Sequence, residues 1–241
     1  MTTQKMNIDR PTYENGFLFE RPHLPEGTPE GTELAVAMGA IASRRAVEQR
    51  TRVVHPDGRR ENVSEHGDML VTVATAFYRK YYDRLPESCS EGMIALYANL
   101  HDDIEAYVGD TPTDFITADG LVSKQDLETQ GMEQMIKEYE SLDPVYVERL
   151  RAYEEQIDPN ARFVRLVDKF MTLLVHIPNG GLMIRENYPS REEFMRSVQA
   201  HHERLHAQFP EMGWLVELRR ELAVYLGDVS YGNDASATSH H

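Results

Sequence analysis

The sequence predicts an all-α protein. Three observations lead there: apolar residues recur at i, i+3, i+4 spacing along most of residues 32–226, the strict alternation that marks strands is scarce, and no repeat period appears. With 241 residues, 41% of them hydrophobic and 27% charged, the chain can build one well-formed core. We therefore expect one helical domain over 32–226, an extended arm over 1–31 and a polar tail over 227–241.

The arm carries four of the twelve prolines and four glutamates without periodicity, so it reads as extended rather than packed. From Thr32, the run Leu34, Ala35, Val36, Ala37, Met38, Ala40 and Ile41 reads as helix. An arginine-rich connection follows over 44–60, whose Pro56-Asp57-Gly58 turn leaves room for a small hairpin. Ser64 can cap a helix over 64–79, with Met69, Leu70, Val73, Ala74 and Phe77 on its apolar side and His66 in its first turn. A second buried helix, over 90–108, carries Ile94, Leu96, Tyr97, Leu100, Ile104 and Tyr107 and stops at Gly109, with Pro112 beyond. A loop over 109–120 leads to peripheral helices over 124–141 and 145–156. The most apolar helix spans 161–176 and is ended by Pro178-Asn179-Gly180-Gly181, and helices over 190–208 and 212–226 complete the body.

Composition excludes some functions. A net charge of -15 argues against binding duplex nucleic acid, because neutralising phosphates needs an excess of clustered Lys and Arg. No stretch approaches the roughly 20 apolar residues of a membrane span, and the first residues do not pair a basic segment with an apolar one, so no membrane association and a cytoplasmic location are expected. One cysteine, Cys89, rules out an intrachain disulfide framework and a cysteine-rich zinc site. Neither a P-loop nor a G-x-G-x-x-G turn is present.

The chemistry concentrates in a few positions. Asp168 sits among Val164, Met171 and Val175 on an apolar helix face, and a buried carboxylate needs a cation or a metal. From that helix alone, an ion pair with a nearby arginine is the simpler reading. His101-Asp102 emerges from the apolar run 94–100, and both side chains are good ligands for a borderline divalent ion. Adjacent helical residues diverge by about 100°, so the two can share one ion only with help from neighbouring helices. His66 taken alone reads as a surface histidine. The ordered set of His, His-Asp and Asp is far more specific than any member.

That order resembles the HD superfamily of metal-dependent phosphohydrolases over about residues 34–176. Within it, the strings Glu61-Asn62-Val63-Ser64-Glu65-His66 and His101-Asp102, followed by Glu105 and by Gly109-Asp110-Thr111-Pro112-Thr113, are most similar to the bacterial 5'-deoxynucleotidases. The resemblance implies an α-helical bundle in which His66, His101, Asp102 and Asp168 bind one divalent ion (cobalt, manganese, zinc, iron or magnesium) and leave positions for water and a phosphate oxygen. It implies proton transfer or water positioning by Glu105 and a sugar or water contact by Asp110, although spacing alone would make Glu105 a surface partner of an arginine and Asp110 a turn residue. It also implies a phosphate-binding arginine ahead of His66, for which Arg45 and Arg50 are the choices. The family's tryptophan beside that arginine, which crowds a 2'-hydroxyl, has no counterpart here, since the only tryptophan is Trp214. Selectivity for deoxyribose is therefore not implied.

A rival motif, His202-Glu203-Arg204-Leu205-His206, fits the His-Glu-x-x-His pattern of zinc proteases. Arg204 puts a charge inside the motif and Phe209 stands where its extended form needs glycine, so a solvated helix surface is the preferred reading. The expected function is hydrolysis of a 5'-(deoxy)nucleoside monophosphate to nucleoside and phosphate. A triphosphohydrolase acting on deoxynucleoside triphosphates, and a non-catalytic nucleotide-binding regulatory module, are the alternatives. Family relatives are commonly dimers or larger, which implies a homo-oligomer.

Overall fold

The computed structural model describes residues 16–55, 57–110, 118–178 and 180–232, and there the chain is all-α apart from one two-stranded hairpin. In order, the elements are α1 (Glu30–Val47), β1 (Gln49–Val54), β2 (Arg60–Asn62), α2 (Val63–Tyr81), α3 (Glu91–Leu100), α4 (Glu105–Val108), α5 (Ala118–Tyr139), α6 (Pro144–Glu155), α7 (Pro159–Leu174), α8 (Leu182–Asn187), α9 (Arg191–Gln208) and α10 (Gly213–Tyr231). The described residues fall into two compact units, one drawn from 16–51, 62–64 and 102–148, the other from 52–61, 65–101 and 149–232.

In the first unit, α1 buries Ala37, Ile41 and Arg45, a four-residue spacing that keeps all three on one face. Glu30 and Glu33 in its first turn and Arg44 and Arg45 in its last oppose the ends of the helix dipole. Tyr139 at the end of α5 donates its hydroxyl to the Ala37 carbonyl at 3.0 Å. Gly131 lets α5 approach α4 closely: a Cβ there would stand 2.7 Å from Val108 Cγ1 and 3.0 Å from Ile104 Cδ1. Part of the arm is packed after all. Phe19 is buried edge-on against the Tyr107 ring, Leu18 N–H donates to the Tyr107 carbonyl at 2.8 Å, and Arg21 pairs with Glu33 at 2.8 Å. No periodic signal announces this packing, because irregular backbone packs through single side chains. Residues 1–15 lie outside the described residues.

In the second unit, α3 packs on α7 and α10 packs on α7, α8 and α9. Leu173, Ile184, Phe194, Val198, Ala223 and Leu226 form one continuous apolar cluster. Helix α7 is nearly sealed, with Phe163, Val164, Leu166, Val167, Phe170 and Met171 all buried.

Several boundaries differ from expectation. The arginine-rich connection is not one loop: its first residues complete α1, and the rest forms the hairpin β1–β2. The turn is held by His55 N–H to the Arg59 carbonyl at 2.8 Å and by Gly58 at φ +85°. Pro56 of that turn lies outside the described residues. The helix expected over 90–108 is interrupted after Leu100, and residues 101–104 form turns before α4. Apolar spacing carries on through the break, which is why periodicity could not see it. The start of the expected tail is helical instead: α10 continues to Tyr231, and Leu226, Gly227 and Ser230 are buried. Helix α8 has no signature in the sequence, since six residues are too few to show a period.

Candidate metal centre

Three of the four expected ligands converge in the second unit. His66, His101 and Asp168 each present a ligand atom within 4.8 Å of the others, and among the described residues no other trio of such donors does so. Each arrives by a different route. His66 lies on the first turn of α2 and is 1% exposed. His101 directly follows the last residue of α3 and is 5% exposed. Asp168 lies on α7, one turn after the buried Val164 and just before the buried Met171. The imidazole rings of His66 and His101 stand 5.2 Å apart, and His101 meets the edge of Tyr153 at 6.2 Å.

Hydrogen bonds, and for His66 Nδ1 a longer contact, orient these groups. His101 Nδ1 lies 2.9 Å from the Ala98 carbonyl, which can only accept, so that nitrogen carries a proton and Nε2 is the one left to serve as an ion's ligand. His66 Nε2 lies 3.0 Å from Asp168 Oδ1, and its Nδ1 lies 3.6 Å from Glu61 Oε2. Asp168 Oδ2 accepts from Lys169 Nζ at 2.6 Å. Burial alone would raise the Asp168 carboxyl. Lys169 beside it, the hydrogen bond with His66 and the charges of His66 and His101 outweigh that and hold it well below the usual carboxylate range. The ion pair expected from α7 alone is thus met by Lys169 rather than by an arginine. Two imidazoles and an ionised carboxylate, nearly sealed from water, form a donor set that fits a borderline divalent ion.

The remaining candidates belong to the first unit. Asp102, next in the chain to His101, lies 3.4 Å from Arg50 Nη1 through its Oδ2. Glu105, the first residue of α4, is 9% exposed, and its Oε2 is buried without a hydrogen bond among the described residues. Burial pushes the Glu105 carboxyl well above its usual range, the charges of Asp102 and Asp110 push the same way, and Arg50 and Lys124 pull against them. Gly109 at φ +78° ends α4, and Asp110 beyond it donates its backbone N–H toward Glu48 Oε1 at 3.4 Å. Thr111, Pro112 and Thr113 of the shared string lie outside the described residues.

The two candidate arginines separate here. Arg45 is 8% exposed and paired with Asp103, whose other oxygen accepts from the Tyr146 hydroxyl at 2.6 Å. An arginine committed to a buried pair is not free to clamp a phosphate. Arg50 has a more open side chain, 17% exposed.

Sequence reasoning missed Glu61 and Lys169. Lys169 had a usable signal, because a lysine directly follows the buried carboxylate. Glu61 had only its place in the shared string. In the rival motif, His202 Nε2 pairs with Glu217 on α10 at 3.2 Å and the rings of His202 and His206 are 5.9 Å apart. Cys89 is buried and its thiol is pushed up to about 11 by burial and by Asp158, which removes thiolate chemistry near neutral pH.

This fold and donor set define a helical protein with a buried His-His-Asp site. The family model described as HD domain matches residues 43–211, well over half of the sequence, and the chain belongs to that family. Its structure is similar to the crystal structure of a predicted metal-dependent phosphohydrolase from Magnetospirillum magnetotacticum MS-1, with a TM-score of 0.62 and 19% identity over 85% of this chain and 98% of the other. None of the curated proteins compared with it matches. Among the described residues, no helix is long and apolar enough to cross a membrane.

Proposed function

We propose that this chain is a metal-dependent phosphohydrolase whose substrate is a 5'-(deoxy)nucleoside monophosphate, cleaved to nucleoside and phosphate. The observation that carries the reading is the convergence of His66, His101 and Asp168 within 4.8 Å in a member of the HD-domain family. The likeness in fold to the predicted metal-dependent phosphohydrolase from Magnetospirillum magnetotacticum supports it. The nucleotide rests on the strings over 61–66 and 101–113.

His66, His101 and Asp168 would hold one divalent ion, with Asp102 as a fourth ligand on the strength of the His-Asp pair in sequence. The bound ion supplies an activated water at neutral pH and offsets charge developing on the phosphate. The Ala98 carbonyl fixes the tautomer of His101. Glu105, protonated above the ordinary carboxyl range, is suited to give a proton to the leaving oxygen. Arg50 is suited to bind the phosphate, since a guanidinium can grip two oxygens at once. Asp110 remains the candidate for the sugar hydroxyl.

The test is a panel of nucleoside mono- and triphosphates with added manganese or cobalt, reading phosphate and triphosphate separately. Phosphate release from monophosphates is expected, together with one bound ion per chain. At a hundredfold excess of ion over its Kd, the ion should stabilise the fold by about 2.7 kcal/mol. Asp168→Ala should abolish turnover and stabilisation together. Absence of a bound ion overturns the hydrolase reading, and exclusive release of triphosphate overturns the monophosphate.

A further inference from the structure

We propose that Glu61 is a positioning residue of the metal centre, holding the His66 imidazole through Nδ1 so that Nε2 is presented to the ion. This rests on the metal site proposed above.

The backbone sets up the contact. In β2 the middle residue alone is buried, with Arg60 and Asn62 half-buried on either side, so the two-residue period of a strand turns Glu61 inward. Glu61 is 1% exposed, and a carboxylate at that depth is costly unless a cation or donor meets it. His66, itself 1% exposed, stands with Nδ1 3.6 Å from Glu61 Oε2. The opposite nitrogen, Nε2, faces Asp168 Oδ1 at 3.0 Å. The ring therefore lies between two carboxylates with distinct tasks, one in the ligand cluster and one behind it.

His101 shows the same division with a neutral acceptor, its Nδ1 on the Ala98 carbonyl. A carboxylate behind a ligating imidazole fixes its orientation and makes it a stronger donor, and losing such a partner weakens metal affinity by roughly ten- to a hundredfold. Nothing in the hydrophobic pattern would place an acid here, since Glu61 sits in a three-residue strand inside a charged stretch.

The test is the affinity of the full chain for manganese or cobalt, measured by competition with a chromophoric chelator, alongside urea unfolding of the metal-free protein. Glu61→Ala should weaken binding roughly ten- to a hundredfold. Glu61→Gln keeps the shape and an acceptor but loses the charge, so it should fall between, and it serves as the test if the alanine variant does not fold. A purely structural role would lower the urea midpoint and leave the Kd at the wild-type value, which overturns the proposal. Wild-type protein that binds no divalent ion overturns the proposed function and this inference with it. Wild-type protein that binds, with both variants binding equally well, overturns this inference alone.

Discussion

Asp158 caps α7, the helix that carries Asp168, and its removal should loosen the fold without altering the chemistry. One carboxylate oxygen accepts from the Asn160 backbone N–H and from Asn160 Nδ2, each at 2.8 Å, and the other accepts from the Tyr97 hydroxyl at 2.8 Å. Asp158→Ala removes the cap, at about 1 kcal/mol. It also takes an acceptor from a hydroxyl on a wholly buried ring, at about 1–3 kcal/mol. Together these give a loss of about 2–4 kcal/mol, or roughly 4–16 °C in Tm for a chain of this size. Urea unfolding followed by far-UV circular dichroism at pH 7 measures it. Asp158→Asn keeps one acceptor for Asn160, and its amide NH2 can donate to the Tyr97 hydroxyl oxygen in place of the lost carboxylate contact, so it should recover at least half of the loss. Burial alone would raise the Asp158 carboxyl, but the hydrogen bonds from Asn160 and Tyr97 prevail and hold it below its ordinary 3.8. A depressed carboxyl stabilises above its unfolded pKa and loses that contribution as pH falls through the folded value. The difference between wild type and the alanine variant should therefore be full above pH 3.8 and shrink below it. Metal affinity should not change, because Asp168 lies ten residues, about 15 Å, along the helix. An alanine variant within about 0.5 kcal/mol of wild type, or an asparagine variant no better than alanine, would refute the reasoning.

Arg45→Met should cost about 3–5 kcal/mol in urea unfolding, because it strands the buried Asp103 carboxylate. Arg50→Ala should fold normally and raise KM for a phosphate substrate roughly ten- to a hundredfold, the value of a charge-assisted hydrogen bond of about 1.5–3 kcal/mol. A stable Arg45→Met that lost substrate binding would reverse the two assignments. Glu105→Gln should lower kcat by roughly a hundred- to ten-thousandfold. Because the Glu105 carboxyl is raised in the fold, its contribution to stability is complete below the ordinary 4.5 and declines as pH rises through the raised value. The glutamine variant, which cannot ionise, should therefore melt higher than wild type at pH 8 and alike at pH 4. Identical melting at both would dismiss the electrostatic account of Glu105.

The sequence by itself determined the helical class, most of the long helices and three residues that converge, His66, His101 and Asp168. Those properties are local: a 3.6-residue period, a stop at Gly109, and polar residues standing out against an apolar face. The break after Leu100 escaped it, because a turn can carry the same apolar spacing as a helix. The tertiary structure decided which polar groups serve which partner. Arg45 and Arg50 are equivalent on paper, and only the burial of Asp103 and Tyr146 around one of them tells them apart. The same holds for Asp168, whose neighbours in space, His66 and His101, lie 102 and 67 residues away in the chain. Burial, pairing and the resulting shifts in ionisation are sums over groups brought together from distant positions, and a one-dimensional pattern contains none of those distances.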